Sequence, residues 1–237
     1  MKYLNLTLPT HAENLACDEA LLDFCEESGG AEILRIWEPS DYFVVVGYAN
    51  KVDVEVNREK CEAKAIPILR RCSGGGAVVQ GPGCLNYSLI LNFVKNDLLQ
   101  TITQTNQFVM ERQRQLLQTL LGDIIDIQGH TDLAIAGLKF SGNAQRRKKR
   151  CLLFHGTVLL HFDIPVIADL LKMPSRQPAY RENRTHEKFL TNLSRPMEEM
   201  KQVLRSGWNA SNQVETIPDL SKLLDEKYSR DDWNYKF

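Results

Sequence analysis

A glycine-rich segment, Arg70-Arg-Cys-Ser-Gly-Gly-Gly-Ala-Val78, carries residue types that could bind an anionic ligand. Its consecutive glycines allow positive φ angles and let a ligand approach the main chain closely. The N–H groups of such a loop attract anions, and the two arginines can make bidentate contacts with phosphate or carboxylate. The segment is not a Walker loop, because no Gly-Lys-Ser/Thr follows it. Taken alone, it is equally well explained as a turn between two strands.

Three later residues could add chemistry to such a site. Lys139 stands in a strand-like segment among the small residues of Gly137-Leu-Lys-Phe-Ser-Gly142, which leave room for a ligand, although a strand lysine is most often solvated. His155 could be a general base, a ligand contact or a histidine of the core, of which the core histidine is the commonest. Asn86 opens a strand after a Pro-Gly turn, where it could cap the turn.

A basic run follows the lysine segment, and its members are Arg146, Arg147, Lys148, Lys149 and Arg150. Runs of this kind are usually the solvated tip of a hairpin. Five positive charges beside an anion site could also steer an acidic macromolecule towards it. We therefore predict that the run helps to dock an acidic macromolecule.

The composition indicates a globular protein without a strong overall field. The chain has 237 residues, of which 43% are hydrophobic and 25% charged, and its formal net charge is −1. The length fits one large domain over residues 1–237, or one domain plus a small appendage, and the charge gives no reason to expect nucleic acid or membrane as a partner. The six cysteines are scattered without a C-x-x-C pair, which argues against a disulfide framework or a zinc site. The N-terminus lacks the pattern of a signal peptide, so we expect a cytoplasmic protein.

The elements that must position these residues alternate irregularly between helices and strands. Thr10-His-Ala-Glu13 predicts a capping box for a helix that ends at Gly29-Gly30, and Asn96 is expected to cap a long helix that ends at Gly122. Strands are predicted at 33–38, 42–48, 66–71, 86–93, 123–128, 132–136, 139–145 and 152–162. Residues 196–237 are expected to hold two short helices. Strands grouped around a few helices, without strict βαβ alternation, predict an α+β fold with a mixed, mostly antiparallel sheet.

Together these segments resemble the lipoate–protein ligase A family of the biotin/lipoate ligase superfamily. The matching motifs follow one order within residues 1–195: Asn14-Leu-Ala-Cys-Asp-Glu-Ala-Leu, Gly47-Tyr, the glycine-rich segment, the downstream Gly-x-x-Asn86, Thr131-Asp, Lys139-x-Ser-Gly-x-Ala and His155-Gly-Thr. Several motifs in the same order argue strongly against a chance match.

The resemblance implies a biotin/lipoate ligase-like catalytic domain, in which a mixed sheet packs with helices. The implied reaction is activation of lipoate by ATP to lipoyl-AMP, followed by transfer to a lysine of an acceptor lipoyl domain. Lys139 matches the family's lysine, whose ammonium would stabilise charge on the acyl phosphate. Mg²⁺ would accompany the nucleotide, with Asp132 as the candidate carboxylate ligand. The residues implied to contact lipoyl-AMP are Arg70, Ser73, Gly74, Gly75, Gly76, Ala77, Asn86, Thr131, Asp132, Ser141, Gly142, Ala144, His155, Gly156 and Thr157.

Two departures from the family pattern keep other functions open. Gln80 stands where a histidine is frequent, and the sequence holds essentially the catalytic domain alone, so a separate small accessory protein could be required. Octanoyl- and lipoyltransferases of the superfamily act through a cysteine thioester, but the corresponding stretches, 129–136 and 173–180, contain no cysteine. Ser175 lies near one of these places, and Cys151 is the nearest cysteine. An ATP-dependent ligase is therefore favoured over an acyltransferase and over a non-catalytic binder of lipoate or lipoylated proteins.

Overall fold

The computed structural model describes residues 1–29 and 31–237. The strands are β1 Lys2–Asn5, β2 Ile33–Trp37, β3 Phe43–Val46, β4 Ile68–Arg70, β5 Val78–Gln80, β6 Cys84–Asn92, β7 Asp126–Gln128, β8 Asp132–Ile135, β9 Leu138–Arg147, β10 Cys151–Leu159 and β11 Asn212–Gln213. The helices are α1 His11–Ser28, α2 Val52–Glu55, α3 Arg58–Ala63, α4 Ile102–Leu121, α5 Ile164–Leu170, α6 His186–Phe189, α7 Met197–Gly207, α8 Ser221–Leu223 and α9 Asp231–Asn234. Short 3-10 turns occur at Phe93–Lys95, Asp97–Leu99 and Ala179–Arg181, and a π turn occurs at Leu224–Tyr228.

Eight strands form the main sheet, in the order β11-β1-β2-β6-β10-β9-β8-β7. β1 pairs in parallel with β2 and β11, and the remaining pairs are antiparallel. The register of β10 places His155 opposite Ala144, and it places Thr157 opposite both Asn86 and Gly142. Because cross-strand partners share one face of a sheet, β6, β9 and β10 present these residues together.

The two faces of the main sheet carry different side chains. On β6, Leu85 and Leu89 pack into the core beneath α4 and α7, whereas Asn86 and Ser88 point to the face covered by α1, as the period of two in a strand requires. The polar residues of β6 therefore lie on the same side as α1. This face holds the cavity described below.

A second, three-stranded sheet of order β4-β3-β5 carries the glycine-rich segment. β3 pairs in parallel with β4 and antiparallel with β5, and all of its residues are buried. The glycine-rich segment joins β4 to β5. Both of its ends are consequently fixed by strands of one small buried sheet.

Helix α1 begins where the sequence predicts. Thr10 accepts a hydrogen bond from the N–H of Glu13, and the Glu13 carboxylate accepts one from the N–H of Thr10, so the capping box is complete. Gly29 ends the helix with a left-handed φ of 75°. Gly30, the second predicted helix stop, lies outside the described residues.

Helix α4 ends at Gly122 as predicted, but its predicted beginning was wrong. Asn96 caps the separate turn Asp97–Leu99. Thr101 then caps α4 itself and forms a capping box with Gln104. The sequence thus offers two good N-caps in succession, and local preference alone does not decide between them.

The architecture is α+β with a mixed, mostly antiparallel main sheet, which confirms the predicted fold class. None of the described helices is both long enough and apolar enough to cross a lipid bilayer.

Candidate active site

A cavity of about 600 Å³ opens on the α1 side of the main sheet. Strands of both sheets line it, together with residues from the segment 167–190. Of the residues singled out in the sequence, the structure brings these to its walls: Gly75, Gly76, Ala77, Asn86, Thr131, Asp132, Lys139, Ser141, Gly142, Ala144, His155, Gly156 and Thr157. Motifs that are far apart in the chain therefore meet around one space.

The Lys139 ammonium is fixed over the backbone of Gly142. Its Nζ lies 2.8 Å from Oδ1 of Asp132, and a Cβ added at Gly142 would lie only 2.7 Å from that Nζ. The other carboxylate oxygen of Asp132 accepts a hydrogen bond of 2.8 Å from the Tyr180 hydroxyl. Burial, followed by the charge of Asp132, raises the pKa of Tyr180. The lysine side chain remains 25% exposed, so a ligand in the cavity can reach it.

Arg71 shapes the glycine-rich loop from within. Its Nη2 donates hydrogen bonds of 2.7 Å to the carbonyls of Gly74 and Gly76. Gly75 adopts φ 89°, and a Cβ at Gly47 would lie 2.1 Å from the Gly75 carbonyl oxygen, so neither position accommodates a side chain. Burial lowers the pKa of Arg71 to about 10, which leaves it protonated at neutral pH. Arg71 lines the cavity. The sequence offers both arginines as anion contacts, but Arg71 is not among the residues that the family resemblance implies.

Arg70, in contrast, is placed away from the cavity. Its guanidinium is fully buried and donates five hydrogen bonds to backbone carbonyls, those of Gly47, Tyr48, Asn50, Trp233 and Asn234. The position of Arg70 therefore does not match the implied contact with lipoyl-AMP. Side chains of neighbouring residues in an extended segment point to opposite sides. Arg71 therefore reaches the cavity, whereas Arg70 links the start of the glycine-rich segment to Trp233 and Asn234.

A chain of polar contacts runs behind the glycine-rich loop. The Ser73 hydroxyl lies 2.6 Å from Nε2 of His155, and Nδ1 of His155 lies 3.5 Å from Oδ2 of Asp18. Asp18 also pairs with Arg35 at 2.6 Å. Burial alone would raise the pKa of Asp18, but Arg35 and the contact with His155 outweigh burial and lower it.

Two members of this series of contacts, His155 and Asp18, line the cavity, and Asp18 is only 3% exposed. Ser73 is fully buried and, like Gly74, is absent from the cavity wall. Asp18 was not predicted as a site residue. The signal was present, because an aspartate on the apolar face of α1 needs a buried partner.

Asn86 and Gln80 belong to a closed ring of hydrogen bonds with Thr157. Gln80 donates to the Thr157 hydroxyl at 2.7 Å, this hydroxyl donates to Asn86 at 2.5 Å, and Asn86 donates back to Gln80 at 2.9 Å. Each amide orients the next group, so the wall is rigid at this point. Gln80 is thus a structural partner here and shows no sign of acid–base work.

The Thr131 segment is tied to β9 through Asn143. The Thr131 hydroxyl donates to the carbonyl of Asn143, and the Asn143 side-chain amide donates to the carbonyl of Thr131, each at 2.7 Å. The Tyr87 hydroxyl donates to the side-chain oxygen of Asn143 at 2.5 Å. Because a Cβ at Gly156 would lie 1.7 Å from that oxygen, glycine is required there.

The cavity wall combines two kinds of chemistry. Part of it is apolar and includes Leu15, Trp37 and Val45, which pack in one cluster, and part is cationic and includes Arg176 and Arg181. Lys139 stands on the wall with them. The cavity therefore suits an elongated molecule with an apolar tail and an anionic group.

The structure divides the basic run. Arg147 donates to the carbonyls of Leu99 and Gln100, Lys148 pairs with Asp23, and Arg150 pairs with Glu26. Arg146 and Lys149 are exposed, and within the described residues neither forms a salt bridge. The predicted docking role can therefore rest on only part of the run.

The cysteines are removed from the cavity. All six, which lie within the described part of the chain, are buried and reduced, and none of them lines the cavity. Burial raises the pKa of Cys72 and Cys84 to about 12 and also raises that of Cys151. Sγ of Cys151 lies 3.1 Å from Sγ of Cys25, under α1. Ser175 donates its hydroxyl hydrogen to the Glu55 carboxylate.

The chain matches the model of the lipoyl protein ligase A/B catalytic domain over residues 10–207. It is 24% identical to the octanoyltransferase LipM of Halalkalibacterium halodurans, over 95% of each chain. It is 28% identical to lipoate–protein ligase 1 of Staphylococcus aureus, over 99% of this chain and 73% of the relative.

Two solved structures are similar throughout. One is a lipoate-protein ligase A bound with ATP, at 25% identity and a TM-score of 0.82, with 99% of each chain covered. The other is a bi-partite lipoate protein ligase from Thermoplasma acidophilum, described with its E2 lipoyl domain. It has 25% identity and a TM-score of 0.83, covering 99% of this chain and 95% of the neighbour.

Proposed function

The chain belongs to the lipoyl protein ligase A/B catalytic-domain family, and on this premise we propose that it is an ATP-dependent lipoate–protein ligase. In this proposal the protein forms lipoyl-AMP and then transfers the lipoyl group to a lysine of an acceptor lipoyl domain. The observation that carries the proposal is the Lys139 ammonium, fixed beside Asp132 in a cavity that no cysteine of the described residues lines.

In the first half-reaction, a carboxylate oxygen of lipoate attacks the α-phosphorus of ATP, and pyrophosphate leaves. In this proposal the acyl tail packs against Leu15, Trp37 and Val45, which line the cavity with Lys139, and its carboxylate reaches the Lys139 ammonium. The ammonium lowers the repulsion between the incoming carboxylate and the phosphate and stabilises the charge that develops between them. Arg176 and Arg181 supply further positive charge for the phosphates.

In the second half-reaction, the amine of the acceptor lysine attacks the acyl carbon, and AMP leaves. Negative charge develops on the carbonyl oxygen, and the same Lys139 ammonium can stabilise it because Asp132 holds the cation in place. One fixed cation therefore serves both steps. The protein contributes electrostatics and orientation and forms no covalent intermediate with the acyl group.

His155 acts in this proposal as a positioning residue. Asp18 lies against its Nδ1 and Ser73 against its Nε2, so the imidazole braces the glycine-rich loop from behind. The lowered pKa of Asp18 keeps the carboxylate charged at neutral pH, so Nδ1 of His155 carries hydrogen where it faces this negative charge.

Mg²⁺ fits this site only as an ion held mainly by phosphate oxygens. Within residues 1–29 and 31–237, no three His, Cys, Asp or Glu side chains come together as a metal site. Asp132 is the carboxylate beside Lys139, and both of its oxygens already accept hydrogen bonds. The ion would neutralise charge on the triphosphate, with Asp132 as at most one protein ligand.

A second candidate is an octanoyl- or lipoyltransferase that takes the acyl group from a donor protein without ATP. The observation that favours it is the match with LipM over 95% of both chains. A thioester route needs a thiolate near the acyl group, yet the nearest candidate, Cys151, is buried under α1 against Cys25. The ligase is therefore the better supported of the two.

The deciding experiment is an adenylation assay. Incubation with lipoate, ATP and Mg²⁺, with and without candidate small accessory proteins, should yield lipoyl-AMP, detected by mass spectrometry. Lys139→Met should abolish the product, whereas Lys149→Met, a matched change at an exposed lysine, should not. The proposal fails if wild type gives no adenylate under any of these conditions while it transfers octanoyl groups from a carrier protein. A protein that binds lipoate but supports neither reaction would be a non-catalytic binder.

A further inference from the structure

Tyr48 lies beside the glycine-rich loop, part of which lines the cavity. Its backbone N–H donates to the carbonyl of Ser73 at 2.8 Å, and the preceding Gly47 packs directly on the carbonyl oxygen of Gly75. Gly75 lines the cavity. Tyr48 is 37% exposed, so it presents an aromatic surface beside this part of the cavity wall.

Two cations lie over this ring. The guanidinium of Arg146 is 5.9 Å from the centre of the Tyr48 ring, and Nζ of Lys236 is 5.4 Å from it. Both side chains are exposed, and neither forms a salt bridge within the part of the chain that the structure describes. Arginine and tyrosine together are typical of protein interfaces. We call Tyr48, Arg146 and Lys236 the rim surface.

The strand geometry connects the rim surface to the reacting group. Gly142, Ala144 and Arg146 alternate along β9 on one face, and the Lys139 ammonium lies over Gly142. Arg146 is thus four residues from Gly142, or about 13 Å along the strand. A standard interface of about 800 Å² per partner has a radius of roughly 16 Å. Any folded domain that delivers a lysine to Lys139 therefore covers a footprint large enough to include Arg146.

From this geometry we propose that the rim surface docks the acceptor domain through carboxylates that flank the acceptor's target lysine. The inference rests on the proposed function, since it assumes that a lysine is the acyl acceptor. An entering ammonium is repelled by Arg146, Lys236 and Lys139. Acidic side chains beside the target lysine cancel this repulsion, and they select against lysines that lack them.

The test uses the full-length protein and a recombinant E2 lipoyl domain, in three forms of the enzyme. The first is wild type, the second is Arg146→Glu combined with Lys236→Glu, and the third is Lys2→Glu combined with Lys222→Glu, two exposed lysines. The last pair changes the same charge at two lysines outside the rim surface. Lipoyl-AMP formation, single-turnover transfer from lipoyl-AMP at increasing acceptor concentration, and direct binding of the lipoyl domain by titration calorimetry are measured at two salt concentrations.

The rim variant should form lipoyl-AMP at the wild-type rate but need about tenfold more acceptor for half-maximal transfer at low salt. This difference should shrink in 0.5 M salt, because the Debye length falls well below its value of about 10 Å at 0.1 M. A lipoyl domain whose flanking carboxylates are replaced by amides should bind wild type as weakly as the rim variant does.

Equal acceptor dependence in the rim and control variants overturns the inference. A second outcome also overturns it. If the rim variant still binds the acceptor but no longer forms lipoyl-AMP with the help of an accessory protein, the rim surface binds the accessory protein instead. If no form makes lipoyl-AMP, the ligase proposal fails separately, and the calorimetric comparison still decides whether the rim surface binds the lipoyl domain.

Discussion

Arg70→Lys should unfold the protein more easily without removing a ligand contact. The buried guanidinium makes five hydrogen bonds to backbone carbonyls, whereas a lysine ammonium has three donors, so at least two bonds are lost. At about 1.5 kcal/mol or more for each bond from a charged donor, the loss is about 3 kcal/mol. For a domain of this size, such a loss lowers Tm by roughly 6–12 °C.

The assay compares Arg70→Lys with Arg71→Lys. Thermal unfolding gives the stability of each, and calorimetric titration with lipoate, well below Tm, gives ligand affinity. Arg70→Lys should show the large drop in Tm and nearly normal lipoate affinity. Arg71→Lys should bind lipoate more weakly, because Arg71 holds the carbonyls of the glycine-rich loop and lines the cavity.

The reverse outcome would refute this reasoning. If Arg70→Lys keeps its Tm but loses lipoate affinity, then Arg70 contacts the ligand. Its guanidinium would then not be held by the carbonyls of Trp233 and Asn234. A variant of Trp233, whose indole N–H donates to the Arg70 carbonyl at 2.9 Å, gives an independent check. Trp233→Phe should lower Tm in the same direction by a smaller amount.

Three further perturbations follow from the site. Cys151→Ala should keep full acyl transfer, and the native protein should not react with iodoacetamide at pH 7, since burial raises the pKa of the thiols; loss of transfer in Cys151→Ala would revive the thioester route. Asp18→Asn should destabilise the protein by about 3 kcal/mol because it leaves Arg35 buried without a countercharge. The folded pKa of Asp18 is lowered, so the urea-measured difference from wild type should be constant above the ordinary pKa of about 4 and should shrink as the pH falls below it. Trp37→Ala should weaken lipoate binding in a calorimetric titration by about tenfold or more, through lost apolar contact, and unchanged affinity would show that the acyl tail does not contact Trp37.

The sequence predicts the chemistry of the site better than its geometry. Local signals predict the capping box of α1 and the room for a ligand beside Lys139, because both depend on residues that are neighbours in the chain. They do not distinguish Arg70 from Arg71, since the choice depends on which face of a strand turns to the cavity, and a shift of one residue exchanges the two. The contact of His155 with Asp18 joins residues far apart in the chain. No local pattern encodes such a pair, and only the packing of α1 on the main sheet creates it.

The fixed cation and the buried thiols favour the same reaction. An acyltransferase that stores its acyl group on the protein needs a nucleophile that is both exposed to the acyl carbon and easily deprotonated. The cysteines of this chain meet neither condition, because they are buried and their pKa values are raised. An adenylate-forming ligase needs no protein nucleophile, since ATP supplies the leaving group. Its main requirement is a cation held where charge develops in both half-reactions, and the ion pair of Lys139 with Asp132 over Gly142 meets it.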